Sequence, residues 1–422
     1  MTVMDEPART TGGAAWRHDE LRRLLAFAQA SLGPDGGARW LDADGVPDAR
    51  QPVHTWITAR MAHVHALGTL LGVPGADALA DRALDGLRTH LADPVDGGWF
   101  ASRGPGDAVD DTKSAYAHAF VVLAASSATI AGRPGARDLL DDALRVLDQE
   151  FWDADQGMLR DEWDRAWTVC APYRGANANM HGVEALLAAH SATGDPLWLE
   201  HAAAIADRVV GWAAERDWRV VEHFDASWQP QPELNADHPA DQFKPYGSTP
   251  GHGFEWSRLL LQLDAARRAQ DPRAAGGVAV APGARLDAAR HLFDRAAADG
   301  WDPEEGGFVY TVDWYGRPVE QRRFHWVAAE AIAAAEVFAR VTGEERYARL
   351  ADDWWAYARS HLVDVERGSW HHELDAHNRP SAEVWGGKPD VYHAGQALLL
   401  ADVPVTGSLA ESVRAWRAQR VG

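Results

Sequence analysis

Two kinds of helical segment alternate along the chain, and they differ in how their apolar residues are distributed. Segments such as 180–189 and 327–336 are rich in alanine and leucine and apolar on most faces, which is typical of helices buried all round. Segments that follow them, such as 344–361, carry charge on one face. The turns between them, such as 72–75 and 194–196, place glycine at a helix end and proline at the next helix start. The pattern predicts repeated helical hairpins.

The hairpins recur about six times, which predicts an all-α fold. The most economical packing is an (α/α)6 barrel, a toroid in which six buried inner helices are enclosed by about six outer helices. Segments 19–31 and 409–419 are also typical of outer helices, and we expect them to close the ring at its two ends. We predict one barrel domain over residues 1–422.

The long loops that follow the outer helices resemble one another and contain glycine, acidic residues and tryptophan or phenylalanine. Loops 307–316 and 369–378 alternate in polarity around a turn, which predicts short β-hairpins at one rim of the molecule. Stretch 271–283 is rich in proline, glycine and alanine. We interpret it as a loop insertion, because the same helical pattern resumes after it.

Composition and charge restrict the partners. The formal net charge is -21, from 41 Lys and Arg against 62 Asp and Glu, which repels nucleic acid and anionic membrane surfaces. Cys170 is the only cysteine, as expected in a reducing cytoplasm. The chain start lacks the order of a signal peptide, and no apolar stretch approaches the roughly 20 residues that span a bilayer. We expect a cytoplasmic protein that binds a small neutral molecule, whether as a monomer or a homodimer.

Six histidines recur near the starts of the predicted inner helices, at spacings of 55 to 73 residues: His63, His118, His181, His252, His325 and His393. If these helices point one end at a common axis, the side chains meet in one pocket. A single histidine on an apolar helix is more often a hydrogen-bonded core residue than a catalyst. We therefore expect about half of the six to be structural or to contact substrate. Tryptophans near the loops suit stacking on sugar rings, among them Trp56, Trp314, Trp370 and Trp385.

The densest polar cluster is segment 242–258, which opens the fourth inner helix. His252 and Glu255 are three residues apart and share one face of the first turn. A carboxylate there can orient the imidazole and tune its proton affinity for general acid–base work. The alternative is that Glu255 caps the helix and His252 is a turn residue. Lys244 and Trp256 crowd the same segment, which favours the functional interpretation.

Segment 243–261 resembles the signature of the N-acylglucosamine 2-epimerase superfamily, in the branch of the mannose and sulfoquinovose isomerases. Three further segments resemble family motifs in the expected order: Arg60-Met-Ala-His63, Asn177-Ala-Asn-Met-His181 and Trp385-Gly-Gly-Lys-Pro-Asp-Val-Tyr-His393. The resemblance covers nearly the whole chain. It implies an (α/α)6 barrel and interconversion of an aldose with its ketose through a cis-enediol, without metal or other cofactor.

The resemblance also implies roles for individual residues. His252 and His393 would be the acid–base pair, supported by Arg60, His181 and Glu255. Further candidates for substrate contact are Asn177, Trp314, Lys244, Trp385 and Tyr116, although Lys244 stands where the family often has arginine. His118 and His325 lack a comparable motif and are predicted to line the pocket or to be structural. Such a pair suits the reaction, which needs a base near neutral pKa and donors that hold an enediolate.

Several alternatives remain at this stage. A sugar 2-epimerase would use the same histidines but return the proton to the opposite face of C2. A sulfoquinovose isomerase would need extra cationic groups for the sulfonate, and the sequence shows no additional basic cluster. Mannose and fructose are accordingly the first choice of substrate.

Other classes of protein are also compatible with this fold. Glycoside hydrolases of this fold use two carboxylates, for which the candidates are Asp110, Asp111, Glu255 and Glu330. A noncatalytic sugar-binding toroid would explain the tryptophans but not the histidines. A metal site is disfavoured because no His-Glu-x-x-His pair occurs.

Overall fold

The computed structural model describes residues 13–106, 108–270 and 283–421, and its architecture is a ring of helical hairpins. Most of the proposed insertion 271–283 therefore lies outside the described residues. Six inner helices surround the axis: α2 (Thr55–Leu71), α4 (Ala115–Ile130), α6 (Ala176–Thr193), α8 (Pro250–Gln270), α10 (His325–Thr342) and α12 (Tyr392–Leu400). Six outer helices enclose them: α1 (Ala14–Ala28), α3 (Ala76–Asp85), α5 (Ala136–Val146), α7 (Pro196–Ala214), α9 (Ala284–Gly300) and α11 (Glu345–Tyr357). The predicted (α/α)6 barrel is confirmed.

The division into inner and outer helices follows the distribution of apolar residues. In α4 nearly every side chain is buried, including Phe120 and the polar Ser126. In α5 only one face is buried, through residues such as Leu139, Leu140 and Ala143. Inner neighbours contact one another around the ring, and α12 contacts both α10 and α2. The ring is therefore closed by contact between its last and first inner helices.

The two chain ends have different positions, and one expectation is wrong. Helix α1 contacts α12 and completes the outer set, as predicted. Helix α13 (Leu409–Val421) instead contacts the inner helices α2, α4, α6 and α12. Leu409, Ala410 and Val413 are buried against them. Segment 409–419 thus covers one end of the barrel, because its apolar face fits the open end of the inner ring.

The opposite rim is built from short antiparallel strands. They are β1 (Val53–His54), β2 (Ser102–Arg103), β3 (Val109–Asp110), β4 (Lys113–Ser114), β5 (Trp152–Asp153), β6 (Met158–Leu159), β7 (Glu162–Trp163), β8 (Arg174–Gly175), β9 (His223–Phe224), β10 (Thr311–Val312), β11 (Pro318–Glu320), β12 (Arg323–Phe324) and β13 (Glu373–Leu374). Strands β10 and β11 form a hairpin that begins in loop 307–316, as predicted.

Four of the seven strand pairs among the described residues join successive repeats, which local patterns could not predict. The strand before an inner helix pairs with the loop of the next repeat in β1–β2, β4–β7, β8–β9 and β12–β13. Strand β13, which lies in loop 369–378, pairs with β12, and Leu374 also forms a bridge with Pro380. The amide of Lys388 donates to the carbonyl of Leu41 at 2.8 Å and links the last repeat to the first. This belt fixes the starts of the inner helices, where the functional side chains lie.

Among the described residues no helix is long and apolar enough to cross a membrane.

Candidate active site

A cavity opens at the rim where the inner helices begin, and each of the six helices contributes to it. The space between its walls, including solvent at its open mouth, is about 660 Å³. Its lining includes Arg60, Tyr116, Asn177, His181, Gln242, Phe243, Pro245, His252, Glu255, Tyr310, His325, Trp326, His372, Trp385, Pro389, Asp390 and His393. Eight of the ten residues predicted for the site are among these.

His393 is the second residue of α12, and its two ring nitrogens have different surroundings. Its Nδ1 is 2.8 Å from Oε1 of Glu330, and Nε2 is 3.4 Å from the guanidinium of Arg60. Arg258 donates two hydrogen bonds of 3.0 and 3.1 Å to the other oxygen of Glu330. Because an ionised carboxylate only accepts, Nδ1 carries the hydrogen and Nε2 keeps its lone pair. Burial, together with the charge of Arg60, lowers the pKa of His393 well below its usual range.

Arg60 is held rigidly beside His393. Its guanidinium donates to Asp390 at 3.0 Å and to the hydroxyl of Tyr116 at 2.9 Å. It also lies over the rings of Phe120 and Tyr392, at 4.4 and 4.6 Å from their centroids. The cation is therefore fixed in a buried site, where its charge acts strongly on any anion that forms nearby.

His252 has a carboxylate partner that the sequence spacing did not identify. Its Nδ1 is 2.9 Å from Oε2 of Glu222, whose other oxygen accepts the amide of Thr249 at 3.2 Å. Glu222 directly precedes β9 and comes from the preceding repeat. The expectation that Glu255 orients His252 is therefore wrong. The reason is that the backbone of α8 turns Glu255 toward the barrel axis, while the rim belt brings Glu222 to His252.

Glu255 lies deeper in the cavity. One of its oxygens is 3.6 Å from Nδ1 of His181 and 3.6 Å from the guanidinium of Arg258, beyond hydrogen-bond distance. Within the described residues neither oxygen has a hydrogen-bond partner. Burial, and next the charge of Glu330, raise the pKa of Glu255 well above its usual range. Glu255 thus presents an unpaired carboxyl group to a ligand.

His181 and Asn177 share the first turns of α6 and both line the cavity. His181 packs against Tyr116 and Phe120, with ring centroids 5.3 and 4.6 Å away. Burial lowers the pKa of His181 to about 4. The imidazole is therefore neutral at pH 7 and can exchange hydrogen bonds with a polar ligand.

Aromatic side chains form the outer wall of the cavity. Trp385 stacks on Trp40 with an interplanar angle of 6° and meets Phe243 edge to face. Trp56 packs against Phe243 and Trp385, and the guanidinium of Arg60 lies over its ring. Trp370 is buried elsewhere and donates its indole hydrogen to Glu20. Of the four tryptophans predicted for sugar stacking, Trp385 is the one in the cavity lining.

Two predicted contact residues lie outside the cavity lining. Trp314 is at the turn of the β10–β11 hairpin, where its indole donates to the carbonyl of Pro232 at 3.0 Å. The ammonium of Lys244 lies 4.2 Å from the centroid of Tyr173. Expected substrate contacts for these two residues are not met, because both side chains turn toward the loops of the rim.

Several residues that line the cavity or hold its histidines are not identified by the sequence patterns. The sequence marks Glu330 only as a candidate hydrolase carboxylate, although an acid on the apolar helix α10 is a signal for a buried polar partner. Asp390 lies within the motif that ends at His393, and Trp326 follows His325 directly. Glu222 gave no local signal, because its role depends on contact between repeats.

The hydrolase candidates have different positions. Asp110 and Asp111 are exposed at the rim and absent from the lining. Glu255 and Glu330 both lie beside Arg258, and Glu330 is absent from the cavity lining. The described residues therefore do not present these acids as a pair on opposite sides of a bond, which glycoside hydrolysis requires.

Two groups of side chains have ligand atoms close enough to hold a metal ion: His181 with Glu184 and Glu255, and Glu255 with Glu330 and His393. Arg258 lies within 3.6 Å of Glu255 and 3.0 Å of Glu330. Tyr392 and Gln396 donate to Glu184. A buried guanidinium thus already binds Glu330 and protein donors bind Glu184, whereas Glu255 has no hydrogen-bond partner among the described residues.

Comparison with known proteins gives a consistent picture. The family model of N-acylglucosamine 2-epimerase matches residues 36–397. The chain is 50% identical to D-mannose isomerase of Thermobifida fusca over 94% of this chain and 96% of that protein. It is 44% identical to D-mannose isomerase of Pseudomonas cannabina pv. alisalensis, over 94% of each.

A solved structure agrees with these sequence relatives. The crystal structure of a D-mannose isomerase superposes with a TM-score of 0.84 at 27% identity, covering 94% of this chain and 99% of the other. The chain therefore belongs to the N-acylglucosamine 2-epimerase family.

Proposed function

We propose that the chain is an isomerase that interconverts D-mannose and D-fructose, with His252 and His393 as its acid–base pair. The observation that carries the proposal is that two cavity imidazoles each bind a buried carboxylate through Nδ1, at 2.9 and 2.8 Å. Trp326 packs against both rings, at centroid distances of 5.1 and 5.7 Å. The names of relatives at 50% and 44% identity support the choice of sugar.

His393 is assigned to the carbon-bound proton. Its neutral Nε2 can take the proton from C2 of open-chain mannose and return it to C1. Burial keeps the imidazole neutral before the transfer, and Glu330 stabilises the imidazolium that forms. This step suits a base that is unprotonated at neutral pH, takes a proton from the sugar and gives it back within one turnover.

Arg60 is assigned to the negative charge that develops as C2 loses its proton. Its guanidinium lies 3.4 Å from Nε2 of His393, so an enediolate oxygen within reach of His393 is also within reach of the cation. Its contacts to Asp390 and Tyr116 hold the donor in place before the reaction. Preorganised donors of this kind often supply the largest part of catalysis.

His252 is assigned to the hydroxyl protons. In the conversion of mannose to fructose the hydroxyl at C2 loses a proton and the oxygen at C1 gains one, so the second group must act as base and then as acid. Glu222 holds Nδ1 of His252 and leaves Nε2 for this exchange. The same group can protonate the ring oxygen when the cyclic sugar opens.

A sugar 2-epimerase is the main alternative within the family, since it needs the same two histidines. It would deliver the proton to the opposite face of C2 and never to C1. Reaction without a metal remains part of the proposal, as does location in a reducing cytoplasm, which rests on the single cysteine.

The experiment is conversion of D-mannose by the purified protein in deuterated water, followed by NMR. D-fructose is the expected product, with deuterium at C1 to the extent that His393 exchanges its proton with solvent. A C2 epimer without ketose would establish an epimerase instead, and release of sugar from a mannose oligosaccharide would establish a hydrolase. Activity should survive dialysis against a chelator; loss of activity that manganese restores would overturn the metal-free step.

A further inference from the structure

Two cavity histidines outside the acid–base pair form a stacked couple. His325 opens α10 and His372 directly precedes β13, and their rings stack with centroids 3.8 Å apart and planes 23° apart. Both are about 5% exposed and both line the cavity. The ring of His325 is 6.5 Å from that of His393, so the couple lies beside the proposed reacting centre.

The hydrogen-bond partners of the couple fix where its hydrogens lie. Nδ1 of His325 is 3.4 Å from the carbonyl oxygen of His372, and Nε2 of His372 is 3.1 Å from the carbonyl oxygen of Asp390. A carbonyl only accepts, so each of these nitrogens carries the hydrogen of its neutral ring. Nε2 of His325 and Nδ1 of His372 are left as lone-pair acceptors.

The acceptor on His325 has no partner in the part of the chain that the structure describes. A buried polar atom without a hydrogen bond is costly, and in a ligand cavity a ligand hydroxyl can supply the missing donor. Burial lowers the pKa of His325 to about 4 and that of His372 well below its usual range. Both rings therefore stay neutral at neutral pH, and Nε2 of His325 and Nδ1 of His372 remain acceptors.

The charges around the couple are already paired. Arg60 binds Asp390 at 3.0 Å, and Lys388 binds Asp364 at 2.7 Å. The couple thus adds two lone pairs and no positive charge to this side of the cavity. A neutral hydroxyl can donate to such a wall, whereas a phosphate or sulfonate oxygen has no hydrogen to donate and meets lone pairs.

We infer that the His325–His372 couple is a specificity-determining wall that accepts hydrogen bonds from sugar hydroxyls and excludes sugars with an anionic substituent. The inference rests on the proposed function and narrows its substrate class to neutral monosaccharides. The couple positions the sugar through its hydroxyls and takes no part in the proton transfers.

The first test is His372→Phe, which keeps a ring for stacking but removes the lone pair. We expect the KM for D-mannose to rise about tenfold, the scale of one buried hydrogen bond, with kcat changed by less than about threefold. Calorimetric binding of D-mannitol, which has no carbonyl to react, should weaken by a similar factor. The matched control is His371→Phe: this neighbour is absent from the cavity lining and lies 3.7 Å from Asp364.

The second test is His372→Gln, whose amide supplies a donor as well as an acceptor. D-mannose 6-phosphate should inhibit the unmodified protein only at concentrations at least about 100-fold above the KM for mannose, and should bind more tightly to this variant. An unchanged mannose KM and mannitol affinity in folded His372→Phe would overturn the inference, as would tight phosphate binding by the unmodified protein. The mannitol measurement separates the two proposals, because it reports on the wall even if mannose is not turned over.

Discussion

His118 and His393 both lie in the first turn of an inner helix and are both buried, yet their surroundings differ. Both nitrogens of His118 are used by backbone groups: Nδ1 is 2.7 Å from the carbonyl of Ser114, and Nε2 accepts the amide of Trp99 at 3.1 Å. His393 has a carboxylate on Nδ1, and its Nε2 is at the cavity, 3.4 Å from the guanidinium of Arg60. The first histidine ties a rim loop to a helix, and the second can move a proton.

The difference shows what converts a buried histidine into a candidate catalyst. A ring nitrogen must be free to meet a ligand, and the other must rest on a group that can stabilise the charged ring. Carbonyl partners fix the tautomer but offer no negative charge, whereas carboxylates offer both. The comparison also predicts which changes affect the rate and which affect stability.

The largest expected effect is on the rate in His393→Ala and His252→Ala. Each should lower kcat for mannose by at least about 100-fold, because a general acid or base contributes roughly that factor. Steady-state kinetics on variants with an unchanged melting temperature measure the effect. Near-normal turnover in a folded variant would remove that histidine from the chemistry.

His118→Ala should show the opposite behaviour. Loss of the imidazole leaves the buried amide of Trp99 without its partner, and we expect the free energy of unfolding to fall by about 2 kcal/mol or more. Turnover of the folded variant should stay within about threefold, since His118 does not line the described cavity. Urea unfolding measures the stability. A 100-fold loss of kcat in a folded His118→Ala variant would refute the assignment of His118 as a structural and not a catalytic histidine.

The carboxylate partner is tested by Glu222→Gln. The amide oxygen can still accept from Nδ1 of His252 but carries no charge, so we expect kcat to fall about tenfold, or roughly 1.4 kcal/mol. Glu215→Gln, at the exposed end of α7, is the matched control and should be neutral. If Glu222→Gln also left kcat unchanged, the charge of Glu222 would have no role in catalysis by His252.

The last effect vanishes at neutral pH and concerns the pH dependence of stability at His65. This side chain is buried, neither ring nitrogen has a partner among the described residues, and burial lowers its pKa to about 4. Below about pH 6.5 the unfolded chain binds a proton that the folded chain does not, so stability falls as the pH drops from 6.5 to 4. His65 contributes about 1.4 kcal/mol per pH unit to this loss.

His65→Leu should therefore be more stable than the unmodified protein at pH 5.5, with the advantage shrinking toward pH 7.5. Urea midpoints at the two pH values check the change in slope. His238→Leu, an exposed histidine, is the control. If stability fell equally with pH in the His65 variant and in the unmodified protein, burial would not oppose protonation of this imidazole.

The sequence predicted the fold well because helical periodicity and apolar content are local properties. Six apolar helices and six amphipathic partners require a closed ring to bury the first set, and the ring is observed. The prediction for α13 is wrong, since its amphipathic pattern is equally compatible with the outer ring and with the end of the barrel. The repeat was also less regular than the spacing suggested: His325 opens α10, whereas His63 lies about two turns into α2.

The site was predictable where residues that act together are close in sequence. His252, His393, Arg60 and His181 were identified through motifs, and the structure brings them to one cavity. Glu222, Glu330 and the stacked partner of His325 are not, because they lie 30, 63 and 47 residues from their histidines in the chain. Trp314 is predicted from its residue type and Lys244 from its place in the family-like segment 243–261, but side-chain direction takes both away from the cavity.

The sequence by itself determined the helical ring, the end of it that carries the chemistry and the histidines available there. Only the tertiary structure decided which histidines face a ligand and which carboxylate holds each of them. The physical reason is that a side chain's tautomer and proton affinity depend on atoms within about 4 Å, and in this ring those atoms come from repeats tens of residues apart in the chain.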